Sequence, residues 1–132
     1  MTRNFKRFLL LALVLVPMFF LASCKPNANP EKAADALEDK DYAVTLIDDE
    51  DMLKYSGMDG LKAVLTAFNE DDEAIMIYYF DSAKDAKEAW EDFEDDIEEM
   101  KEEAEEADKK VVAKRSGKMI YVGTKQAVKD AR

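Results

Sequence analysis

From Ser82 to Lys109 the chain carries neither glycine nor proline, and its apolar residues recur at steps of three and four: Ala83, Ala86, Trp90, Phe93, Ile97, Met100, Ala104 and Ala107. That spacing puts them on one stripe of a long helix. Nearly every residue between them is Glu, Asp or Lys, so the rest of the helix surface must stay in water. Ser82 or Asp81 supplies the N-cap. The stripe has Trp90, Phe93, Ile97 and Met100 at its centre and small alanines at its ends, a pattern that suits packing on a sheet better than the regular seam of a coiled coil. The other elements must therefore provide an apolar sheet for this helix to cover.

Strand signals supply that surface. Tyr42 to Ile47 is β-rich and alternates, and Leu61 to Phe68 and Ala74 to Phe80 flank the polar loop Asn69 to Asp72 as a hairpin. Ile75 to Phe80 is apolar on both faces, which places it in the middle of the sheet. Val111 to Lys114 and Lys118 to Val122 form a second hairpin around Ser116-Gly117. Asn29 and Pro30 start a short helix, Glu31 to Lys40, that presents Ala33, Ala36, Leu37 and Ala34. Asp51 caps a turn through Tyr55, and Thr124 caps a final helix, Lys125 to Arg132. The expected class is α+β: a two-layer sandwich of an antiparallel sheet of about five strands with one long amphipathic helix across it. The order over Tyr42 to Val122 also admits a ferredoxin-like variant whose first crossover helix has shrunk to the Asp51–Tyr55 turn. The first and last strands are the expected open edges, with Lys110, Lys114, Arg115 and Lys118 discouraging edge pairing.

The first residues have a different character. Arg3, Lys6 and Arg7 precede an uninterrupted apolar run, Phe8 to Ala22, and no acid occurs before Glu31. The run falls short of the ~20 residues that span a bilayer, and Pro17 breaks it, so a cleaved signal peptide fits better than a retained span. It ends in Leu21-Ala22-Ser23-Cys24, which contains the one cysteine of the chain. This tetrapeptide resembles the lipobox of bacterial lipoprotein precursors: a branched aliphatic residue, two small ones, then cysteine. The resemblance covers residues 1–24. It implies diacylglycerol on the Cys24 sulfur, cleavage between Ser23 and Cys24 by the lipoprotein maturation enzymes, and acylation of the new amino group, with the bilayer as the first partner. The organisation that follows is a signal peptide over 1–23, a lipidated Cys24 with a short tether over 24–30, and a single acidic domain over 31–132.

Charge narrows the function. Removing residues 1–23 takes away three of the nineteen basic residues and none of the thirty acids, leaving sixteen against thirty and a net −14. Such a body repels phosphate backbones, so nucleic acid is not a partner. Catalysis has little to stand on: histidine is absent and Cys24 is committed to lipid. Ser56, Ser82 and Ser116 sit at turns or a cap, and no pair of carboxylates stands out for acid–base work. Structural zinc lacks its ligands. Three acidic stretches remain for a harder cation: Asp48-Asp49-Glu50-Asp51, Glu70-Asp71-Asp72-Glu73, and Glu91 to Asp108. None has EF-hand spacing, so no metal ligands and no cofactor are assigned.

These readings converge on a non-enzymatic, membrane-anchored lipoprotein on the extracytoplasmic side, at the cell surface or a periplasmic face. Its partner is an unknown envelope protein or a small ligand, for which Tyr55, Tyr78, Tyr79 and Tyr121 are candidate groove residues. The alternatives are a structural or accessory envelope component and an acidic calcium-binding lipoprotein. A binding module, unlike these, must expose an apolar groove or patch.

Overall fold

The computed structural model describes residues 25–106 and 110–132. Asn29 starts the first element: its side-chain oxygen accepts from the N–H groups of Glu31 and Lys32 at 3.0 and 3.2 Å. Pro30 takes the first helical position, where a missing N–H costs nothing, and α1 runs Pro30–Glu38. Then follow β1 (Ala43–Ile47), α2 (Glu50–Lys54), β2 (Leu61–Phe68), β3 (Ala74–Phe80), α3 (Ala83–Glu106), β4 (Val111–Ser116), β5 (Met119–Thr124) and α4 (Lys125–Asp130).

The strands form one antiparallel sheet in the order β1-β2-β3-β5-β4, with α3 packed across it. The α+β sandwich expected from the sequence is therefore the fold, and the doubly apolar strand is central. On one face Ala63, Leu65, Ala67, Ile75, Ile77, Tyr79, Met119 and Tyr121 build the main core beneath α1 and α4. On the other, Phe80 and Ile120 pack with Ala86 of α3, flanked by Leu61, Tyr78 and Trp90. The sheet is thus covered on both faces, one by the two short terminal helices and the other by α3.

The ferredoxin-like variant is half right. β3 and β4 are joined through α3 and separated in the sheet by β5, which is a split β-α-β unit. β1 and β2, however, are adjacent and antiparallel, with Ile47 opposite Val64. The α2 helix is a single turn, too short to carry the chain over an intervening strand, so a second split unit cannot form. The edges are accordingly β1 and β4, not β1 and the last strand. Lys114 and Arg115 still lie on an edge.

Several caps differ in detail. Asp49, not Asp51, starts α2, accepting from the Asp51 N–H at 2.9 Å. Ser82 starts α3: its hydroxyl accepts from the Asp85 N–H at 3.1 Å and donates to the Asp85 carboxylate at 2.9 Å. Thr124 precedes α4 without capping it, its hydroxyl being turned to the backbone of Ala74 across the sheet. The second hairpin turns at Gly117-Lys118, where Gly117 holds a left-handed φ of 58°.

Ile77 lies at the centre of the sheet with 0% exposure, whereas Trp90 is only half-buried. Ile77→Ala should cost about 2–5 kcal/mol, and Trp90→Ala less than the about 3–5 kcal/mol of a fully enclosed ring. Urea midpoints of the two variants give the order.

Burial raises the hydroxyl pKa of Tyr42, Tyr78 and Tyr79 above the ordinary value of 10.0. For Tyr42 its hydrogen bond to the Asp130 carboxylate at 2.8 Å and that group's charge push the same way. The folded state then holds these protons more tightly than the unfolded chain does. Their contribution to stability is complete below pH ~10 and is lost as pH rises beyond it. Phenolate absorbance of these residues should therefore appear together with loss of circular dichroism above pH ~10, and Tyr42→Phe should move that alkaline transition.

Candidate functional site

The long helix covers only part of its face of the sheet. The α3 helix packs on β3, β4 and β5, while the same face of β2 carries Val64, Thr66 and Phe68, opposite Tyr78, Met76 and Ala74 of β3. Beside the helix this leaves an open groove of about 730 Å³. Thr66, Phe68, Met76, Tyr78, Ile120 and Val122 form its floor, and Phe93, Ile97, Met100 and Ala104 of α3 form its wall. The wall residues are the distal half of the apolar stripe, so the spacing that marks the helix also builds the groove.

The lining is overwhelmingly apolar, within the size range of ligand sites. Phe68, Met100 and Met76 are 61%, 46% and 37% exposed, three of the five large hydrophobic side chains left in water among the described residues. The ring of Phe93 stacks on Tyr78, with centroids 6.1 Å apart and planes 25° off parallel, closing the inner end. Asp96 and Glu103, one heptad apart, are the charged residues of the lining. Neither makes an ion pair among the described residues.

Of the four candidate tyrosines, only Tyr78 reaches this groove. Tyr79 and Tyr121 are buried on the opposite face, in the core beneath α1 and α4. Tyr55 is 92% exposed at the end of α2. Phe68, Met76 and Met100 are the groove residues that sequence reasoning missed. A signal existed, since Phe68 closes the face-up series Val64, Thr66, Phe68, but its exposure depends on where α3 lies.

The acidic stretches do not gather. Among the described residues no three Asp or Glu side chains converge on a possible metal position. The run Glu70 to Glu73 is a hairpin loop held by Asn69, whose side-chain oxygen accepts from the N–H groups of Asp71 and Glu73, each at 3.0 Å. The run Asp48 to Asp51 is used in starting α2. No Asp, Glu, Lys or Arg is buried among the described residues.

A second cleft, of about 320 Å³, lies at the opposite end of β3, between Tyr79-Phe80 and the Ser116–Lys118 turn. Three lysines line it, Lys25, Lys62 and Lys118, and no carboxylate. Residues 25–28 border it as part of the fold, not as a loose tether. Pro26 is fully buried, Asn27 donates to the Ala131 carbonyl at 2.8 Å, and the Tyr79 hydroxyl donates to the Asn27 carbonyl at 2.9 Å. Ser23 and Cys24, the expected cleavage and lipid-attachment residues, lie outside the described residues. Among the described residues no helix is long and apolar enough to cross a membrane.

Tyr79→Phe removes one of these ties and should cost about 1 kcal/mol locally. Amide exchange at Asn27 is expected to speed up while that of Ile77 stays at the global rate. Equal acceleration at both would show that the tie supports the whole fold.

No family model matches the chain, and no curated protein or solved structure matches it either.

Proposed function

We propose that this is a lipid-anchored, extracytoplasmic binding module that takes an apolar ligand or protein segment into the groove beside α3. The observation that carries the reading is the groove itself, which leaves Phe68, Met76 and Met100 in water on a domain of this size. Leaving large apolar side chains exposed costs solubility and stability, and a contiguous patch of them marks an interaction site. The absence of histidine and of any thiol besides Cys24 makes binding a better account than catalysis.

Anchoring rests on the basic leader, the apolar run and Leu21-Ala22-Ser23-Cys24. In this reading Cys24 carries the lipid, and two or three acyl chains hold the protein durably. The domain then sits directly on the bilayer, because Pro26 is already part of the core two residues after Cys24. Lys25, Lys62 and Lys118 would face anionic headgroups, each adding about 1 kcal/mol near such a surface. The groove lies on the opposite face of the sheet and toward the opposite end of β3, open to partners beyond the headgroups.

Two measurements test the reading. Cys24→Ala should leave an uncleaved or soluble product, whereas normal maturation of that variant, with cleavage and membrane retention both intact, would rule out the lipid anchor. The neutral dye N-phenyl-1-naphthylamine should bind with increased fluorescence, and Phe68→Ser with Met100→Ser should abolish the signal without lowering the melting temperature. Unchanged binding in that variant would remove the groove from the function.

A further inference from the structure

The part of the α3 face that the described residues leave open has the width of a helix. Neighbouring strands lie ~4.8 Å apart and a helix with its side chains is ~10 Å across, so one helix covers about two strands and a five-stranded face has room for two. The opposite face of this sheet is filled in that way: α1 lies on β1 and β2, α4 lies on β3, β4 and β5, and the two helices touch. Among the described residues, no long helix lies over β2 on the α3 face, where only the single turn α2 touches that strand. Phe68, Met76 and Met100 are exposed along this lane.

Charge selects what fits there. Within α3, three lysines stand against thirteen carboxylates, and the two charged side chains that line the groove, Asp96 and Glu103, are acidic and one heptad apart. Two such groups a heptad apart match cations spaced by two turns on a parallel or antiparallel neighbour. A second copy of this chain would bring a strongly acidic surface against an acidic rim, and a fatty acid would bring its carboxylate; both are repelled. A neutral small ligand would fill the floor and leave the rim unused. Met76 and Met100 add adaptable contact area, as in other grooves that receive helices.

From this geometry we infer that the groove receives an amphipathic helix of a partner protein. That helix buries its apolar face over Phe68, Met76 and Met100 and turns lysines or arginines toward Asp96 and Glu103. The inference rests on the binding-module reading above and deepens it to one class of partner. The bound helix completes the layer that α3 begins.

The test uses the chain from residue 24 onward with Cys24→Ser, which keeps every described residue and needs no lipid. Its probes are a labelled 18-residue leucine–lysine amphipathic helix, the leucine–glutamate counterpart, and N-phenyl-1-naphthylamine, with anisotropy or fluorescence as the readout. The leucine–lysine helix should bind at least about tenfold more tightly than the leucine–glutamate one, since tenfold is only ~1.4 kcal/mol of charge discrimination. Asp96→Asn with Glu103→Gln should remove most of that preference. Glu98→Gln with Glu105→Gln, the same charge change elsewhere on α3, should leave it. Phe68→Ser, at an exposed position that folding tolerates, should abolish binding of the helix.

Equal affinity for the two helices overturns the inference, as does equal weakening by the two charge pairs, which would mean diffuse attraction to an acidic protein. Dye binding without helix binding also overturns it, but leaves the groove as a small-ligand site. Concentration-dependent dimerisation that Phe68→Ser prevents would assign the lane to a second copy and overturn it as well. Failure of every probe would take the binding-module reading down with it.

Discussion

The central strand sets the terms of this fold. The β3 strand carries Ile75, Ile77 and Tyr79 on one side and Met76, Tyr78 and Phe80 on the other, so neither face of the sheet can be left to water. An antiparallel sheet commonly buries one face and solvates the other. Here two apolar faces require cover on both sides, and the chain supplies it from different places. Its two ends give α1 and α4, while the crossover from β3 to β4 gives α3. The hydroxyls of Tyr42 and Tyr79 then tie the ends down, one to Asp130 and one to the Asn27 carbonyl.

The two covers are unequal for a physical reason. The helices α1 and α4 are short, lie side by side, and turn small or aliphatic side chains (Ala33, Ala34, Leu37, Ala127 and Val128) onto a floor that they bury. The long α3 carries thirteen carboxylates, which must stay hydrated, so it offers the sheet only a narrow stripe. Ala86 and Ile97 are buried along that stripe, whereas Met100 stands 46% exposed toward the distal end. A single narrow helix on a five-stranded face leaves a groove as a matter of width. The groove is therefore a consequence of making one cover from a highly charged helix.

Direction follows from how the first described residues pack. Because Pro26 and Asn27 belong to the core and its hydrogen bonds, the chain enters the domain at a defined point beside Phe80 and the Gly117 turn. That end carries three lysines on a chain of net charge −11, and the groove end carries Asp96, Glu103 and the 69–73 loop. The molecule is polar along its strands. An anchor attached at the lysine end would hold the acidic, apolar-lined end outward.

Much of this was legible from residues alone where the determinants are local. The bounds of β2 and β3, the Asn29-Pro30 start of α1, the uninterrupted run of α3 and the central place of a doubly apolar strand all follow from periodicity, caps and breakers read over a few residues. The strand order did not follow, because pairing β1 with β2 and slotting β5 between β3 and β4 are choices among distant partners that local patterns leave equal. Nor did the fate of the apolar stripe. Trp90, Phe93, Ile97 and Met100 look alike in sequence, and only the line along which α3 crosses the sheet buries Ile97, half-covers Phe93 and leaves Met100 as the wall of an open groove. Sequence determined which faces must be apolar, because that is a property of spacing. Tertiary structure decided which of those faces stayed uncovered, because that depends on the width and position of what packs against them.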